Sequence, residues 1–183
     1  MLLLLFAYLI MELLLNNDED LLTVVQREAL DLSGLSYERA FAIDSSNLAL
    51  EIDSFAFLNL ADIFFTKVIK DTSSPLSGMF REESLEYTMK AFADFLYQRC
   101  GGGSQFTDRR GFVSISELHS QYEISVEMVE KWCDVMEEAM YRMKSDFNED
   151  HRQQILDYLR YQGYEIIVWA KYKKLLKKRG PLF

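Results

Sequence analysis

The chain is poor in proline, cysteine, histidine and tryptophan, with two of each among 183 residues. Pro75 and Pro181 leave almost nothing to interrupt helix propagation through the body of the chain. Cys100 and Cys133 form no CxxC pair, which excludes a disulfide framework and a Cys-rich zinc site. Basic residues are also scarce: 20 Lys and Arg stand against 29 Asp and Glu, for a formal net charge of -9. That balance argues against a nucleic-acid partner, since phosphate binding needs clustered cations. HExxH, GxSxG, Walker and dinucleotide-binding signatures are all missing, as are a strand pattern of period two and any internal repeat.

Apolar and aromatic residues are abundant instead. Hydrophobic residues make up 49% of the chain and aromatics 14%. One domain of ordinary size can bury such a set without staples, and disorder is excluded. The turn cluster at 71–80 and the glycines Gly101–Gly103 divide a helical pattern. Phe57, Leu60, Ala61, Phe64, Phe65 and Val68 share one broad face of a helix whose N-cap candidates are Asp44, Ser45 and Ser46. Leu85, Met89, Phe92, Phe95 and Leu96 form the stripe of a second helix, with Glu82 and Glu83 suited to its first turn. Gly101–Gly103 read as its C-cap, because no strand precedes them and no phosphate-loop spacing follows. A helix from Ser125 to about Lys144 turns Val126, Val129, Trp132, Cys133, Met136 and Met140 inward. A last helix starts near Asn148 and ends in six basic residues between Lys171 and Arg179. That run suits either a solvated helix end or anionic lipid. The adjacent acids Glu82–Glu83 and Glu137–Glu138 point apart on a helix and read as solvated faces.

Residues 1–15, MLLLLFAYLIMELLL, are apolar except for Glu12. As a helix they would span roughly 22 Å, short of the roughly 30 Å hydrocarbon core. No basic residue precedes them and no small-residue cleavage site follows. Three readings stay open: a helix packed on protein, partial membrane insertion, or a processed leader.

Taken together, GGGSQFTDRRG, ELHSQYEISVEMVEKWCDVMEEAM and EDHRQQILDYL, with LSG, AFAIDSSNL and FLNLADIFFTKV upstream, resemble the truncated, two-on-two haemoglobins of the second group, in their plant and algal branch. The resemblance covers residues 30 to about 165. It implies an all-α, globin-like two-on-two sandwich over 30–168, preceded by a hydrophobic extension (1–29) and followed by a basic helical tail (169–183). It also implies haem b, with His119 as the proximal iron ligand through a neutral imidazole nitrogen. Trp132 would face the gas ligand from the other side, alongside Phe65 and Thr88. Phe80, Phe92, Phe95 and Tyr122 would contact the macrocycle, and Arg109 and Arg110 would stand in as propionate partners.

Three departures from the family pattern bear on function. Phe65 stands where the family usually has a tyrosine, so no hydroxyl donates to the ligand there. Leu118 replaces the arginine usual just before the proximal histidine, and Gly111-Phe112-Val113 replaces Gly-His-Pro. The expectation is a haem-binding globin that takes a diatomic gas (O2, NO or CO) at five-coordinate iron and holds oxygen weakly. Such a site serves sensing, scavenging or redox chemistry, at most an NO or O2 activity, rather than bulk transport. The alternative is a haem-free globin-fold accessory subunit of a larger, membrane-associated respiratory or photosynthetic complex in a mitochondrion or plastid. Residues 1–15 and the C-terminal helix would then form its protein contacts.

Overall fold

The computed structural model describes residues 21–80 and 84–179, and among them no strand occurs. The hydrophobic run 1–15 and the acids Glu82 and Glu83 lie outside the described residues. The chain forms helices α1 (Leu21–Ser33), α2 (Tyr37–Ala40), α3 (Ile43–Ser46), α4 (Ser54–Lys70), α5 (Leu85–Arg99), α6 (Gln105–Arg110), α7 (Ile115–His119), α8 (Val126–Arg142) and α9 (Glu149–Arg179). The pair α4 and α5 packs on the pair α8 and α9, chiefly through α4 against α8, while α9 also carries α1, α2 and α7. This is the all-α, two-on-two arrangement expected.

Local chemistry sets the helix limits. The N-cap of α4 is Asp53, whose carboxylate accepts from the Phe55 amide at 2.7 Å. The expected caps Asp44, Ser45 and Ser46 lie instead inside α3, because Asn47 in the left-handed region (φ 48°) ends that helix and a short 3-10 turn follows. Ser125 caps α8 by accepting from Met128 at 3.2 Å, and the Asn148 side chain caps α9 by accepting from the His151 amide at 2.9 Å. The glycines end α5 as expected: Gly101 (φ 88°) donates to the Gln98 carbonyl and Gly102 to the Tyr97 carbonyl, the paired bonds of a Schellman cap. A Cβ on Gly101 would lie 2.8 Å from Asn47 Oδ1, so the cap also seats α5 against the turn before α4.

The main core lies between the two pairs. Phe57, Leu60, Ala61, Phe64, Phe65 and Val68 of α4 are each at most 1% exposed. Removing each of those rings from water contributes about 1.5–3 kcal/mol. Leu96, Met136, Met140, Phe147 and Ile155 close the other side. Val126, expected inward, is exposed because it opens α8 before the helix meets the core. A second core joins Val24, Val25 and Ala29 of α1 to Tyr161, Tyr164, Val168 and Tyr172 of α9. Its rim carries ion pairs, Lys171 to Glu28 and the fork of Arg39 on Asp157 at 3.0 Å through both nitrogens. α9 runs through 168 without interruption. Where α8 and α9 meet, Gly163 lets the helices close: a Cβ there would stand 2.6 Å from Val129 Cγ1. No helix among the described residues is long and apolar enough to cross a membrane.

Candidate functional site

α7 places His119. The helix opens on Ser114, whose hydroxyl accepts from the Glu117 amide at 3.2 Å, and it runs only as far as His119 itself. The His119 ring is half-buried, with Nδ1 2.8 Å from the Ile115 carbonyl one turn back. A carbonyl only accepts, so Nδ1 carries the proton and the lone pair sits on Nε2. Nε2 has no hydrogen bond among the described residues. This is the state a single-histidine metal ligand needs, a basic nitrogen free and its tautomer set by a bond on the other one. The other histidine, His151, is buried at the start of α9 against Glu51 (3.1 Å) and Asn148 (3.0 Å). Among the described residues no group of three or more His, Cys, Asp or Glu could hold a metal ion.

Five aromatic rings from four elements meet where α4, α5, α8 and the turn before α5 converge. Trp132 of α8 lies 4.3 Å from Phe64, 5.6 Å from Phe92, 6.0 Å from Phe65 and 6.1 Å from Phe80, centroid to centroid. Phe65 meets Phe80 edge-on at 5.0 Å and Phe92 at 5.7 Å. The geometry is that of favourable edge-to-face packing. The Trp132 indole N–H has no hydrogen bond among the described residues and is not a buried donor, so it meets solvent at the edge of the cluster. Phe65 adds no donor.

The remaining expected residues divide. Phe95 turns away from this cluster to Phe106 (5.4 Å) and Tyr158 (6.2 Å). Thr88 is half-buried and its hydroxyl donates to the Ser84 carbonyl at 2.9 Å, which leaves only acceptor capacity toward a ligand. Arg109 is held by Asp94 of α5 and by the Gln105 carbonyl. Arg110 stacks on Tyr87, 5.0 Å from the ring centroid, and its buried Nε has no partner. Of the two arginines it is therefore the one with a donor to give. Tyr122 is exposed, its ring 6.4 Å from His119. His119 and the ring cluster share no ring contact among the described residues.

A further set of polar residues, beyond those the sequence singles out, joins α7 to α9. Glu165 accepts from Tyr161 (2.9 Å), Gln162 (2.5 Å) and Ser116 of α7 (2.8 Å). Burial first, and the Glu165 charge next, push the Tyr161 phenol well above its usual range, so it remains a donor. Glu117 accepts from the Trp169 indole at 2.9 Å and from Lys173, and these two bonds, the lysine's foremost, hold its carboxyl below the usual range. The only advance signal was the spacing of 162, 165, 169 and 173 on one helix face. Cys100 and Cys133 are buried and unpaired, each thiol pushed up to about 12 by desolvation, and take no part.

Comparison with known proteins gives this arrangement its class. The sequence profile of bacterial-like globins matches residues 53–164, more than half of the chain. The chain belongs to that family. It is 26% identical over 149 residues to "Group 2 truncated hemoglobin 3-1" of Lotus japonicus, covering 81% of this chain and 88% of the relative. It is 25% identical over 154 residues to "Two-on-two hemoglobin-3" of Arabidopsis thaliana, covering 84% and 87% respectively. The group 2, plant-like resemblance seen in the sequence is thereby borne out.

Proposed function

We propose that the protein is a truncated haemoglobin that holds haem b through His119 and binds a diatomic gas at five-coordinate iron, for sensing, scavenging or redox chemistry rather than transport. Family membership supports the cofactor class. The observation that carries the assignment to His119 is its fixed tautomer: Nδ1–H on Ile115 and a free Nε2. When bound, haem would supply the iron at which O2, CO or NO coordinates. The chain's own residues do the rest. His119 presents the lone pair, and Arg110 offers its unpartnered Nε–H to a propionate. Trp132 offers an indole N–H to a gas at the edge of the ring cluster it forms with Phe65, Phe80 and Phe92. Five-coordination is part of this reading: His151, the other histidine, sits at the start of α9 with its Nε2 against Glu51 and Asn148. With one donor from Trp132 and none from Phe65, the gas is held with little hydrogen-bond assistance, which suits release or reaction over storage.

A second reading has one observation in its favour. Phe64, Phe65, Phe80, Phe92 and Trp132 already pack ring against ring, as a filled core would. In that reading the chain is a haem-free accessory subunit of a membrane-associated complex, docked through residues 1–15 and the C-terminal helix. Absorption spectra of the purified protein with added haem, oxidised, reduced and under CO, decide between them. The first reading expects a Soret band that shifts with CO and is lost in His119→Ala. A wild type without a specific band supports the second.

A further inference from the structure

α7 has too few residues to be stable as a helix alone, since nucleation is unfavourable and short helices depend on tertiary packing. Its orientation is imposed from outside. Yet its one fully buried side chain is Ser116, a polar residue, while Ile115, Leu118 and His119 are half-buried. No large apolar anchor seats it. What seats it is a polar stripe on α9. Gln162 and Glu165 engage the Ser116 hydroxyl at 3.3 and 2.8 Å. Trp169 donates to Glu117 at 2.9 Å, and Lys173 bonds Glu117 and, at 3.0 Å, the Ser120 hydroxyl. These four residues follow at intervals of three and four, so they form one line along the helix. Glu165 is itself oriented by Tyr161, and this stretch of α9 is braced on its other flank by Tyr172, in the core shared with α1, and by Lys171 on Glu28.

We propose that this stripe is a clamp that sets the direction of His119. The coupling is mechanical: Nδ1 of His119 is bonded to the Ile115 carbonyl of the same helix, so the aim of Nε2 turns with α7. Glu165, Trp169 and Lys173 all lie beyond residue 164, where the match to the family ends. The C-terminal half of α9, braced by α1, thereby acts on the proximal side of the site through these positioning residues. The basic C-terminal run is accordingly an internal fastening for Lys171, Lys173 and Lys174, which pair with Glu28, Glu117 and Glu123. The role assigned to His119 rests on the function proposed above, whereas the fastening of α7 does not.

The test uses the full chain with Ser116→Ala and Trp169→Phe, singly and together, and Ser116→Thr as the conservative rescue. In the haem-free chain, amide exchange over 115–120 is expected to accelerate roughly tenfold in the double variant, which corresponds to about 1.4 kcal/mol, with α4 and α5 amides unchanged. In the ferrous haem-loaded chain, the iron–histidine stretching band is expected to shift or broaden in the double variant and to return with Ser116→Thr. Unchanged exchange over α7, or equal acceleration in every helix, overturns the clamp. An unchanged iron–histidine band overturns its action on His119. A wild type that takes up no haem removes the proposed function and with it the proximal role, and the exchange data then decide the fastening alone.

Discussion

Phe65→Tyr restores the hydroxyl that the family pattern usually has, and its effect on the ligand-free chain should oppose its effect on the loaded one. Phe65 is 1% exposed and has ring neighbours at 5.0 Å (Phe64), 5.0 Å (Phe80), 5.7 Å (Phe92) and 6.0 Å (Trp132). None of the phenylalanines can accept or donate, and the Trp132 indole only donates. A hydroxyl added here loses its water without a full replacement, at about 1–3 kcal/mol. Urea denaturation of the haem-free variant should therefore show a lower midpoint. With haem and gas bound, the same hydroxyl gains an acceptor worth about 1 kcal/mol net, a roughly fivefold slower oxygen dissociation. Stopped-flow displacement of oxygen by CO measures that rate. An unchanged rate would refute the placement of Phe65 at the ligand, and an unchanged midpoint would refute the apolar enclosure of the ring cluster.

Gly163→Ala sets helix propensity against packing. Alanine favours the helix by about 1 kcal/mol, but its Cβ would stand 2.6 Å from Cγ1 of the buried Val129, an overpacking that costs about 1–3 kcal/mol. Denaturation should show a net loss of about 1 kcal/mol in the wild-type background and a gain once Val129→Ala opens the space; stabilisation by Gly163→Ala alone would refute the close crossing. Glu117 titrates below its ordinary 4.5 because Lys173 and Trp169 bind its charged form. A lowered folded value means the carboxylate's contribution is complete above about pH 4.5 and is lost as pH falls through the depressed value. Trp169 fluorescence should report that acid transition, and Glu117→Gln should abolish it. Cys100 and Cys133, buried and titrating near 12, should resist a thiol reagent at pH 8 until denaturant is added; fast labelling of the native chain would contradict their enclosure.

Much of the fold was legible because helix signals are local. The faces of α4 and α5, the glycine cap after Cys100 and the Asn148 cap each depend on residues within a few positions of one another. The start of α4 was misplaced for an instructive reason. Asp44, Ser45 and Ser46 have the chemistry of caps, as does Asp53, and only the left-handed turn at Asn47 decides that the chain breaks before the second. Within the site, the scarcity of histidine and tryptophan drew attention to His119 and Trp132. Nothing in the sequence separated Arg109 from Arg110. Asp94 does so in space, by holding the first and leaving the second with a free donor.

By itself, then, the sequence determined the helical class, most of the inward-facing positions, the family and the candidate histidine, because periodicity, capping and residue chemistry act over three or four positions. The tertiary structure alone decided how α1 braces α9, how five rings from distant segments pack together, and which way α7 points. Those outcomes rest on contacts such as Lys171 to Glu28 and Arg39 to Asp157, 143 and 118 positions apart, whose partners become neighbours only after the helices have docked.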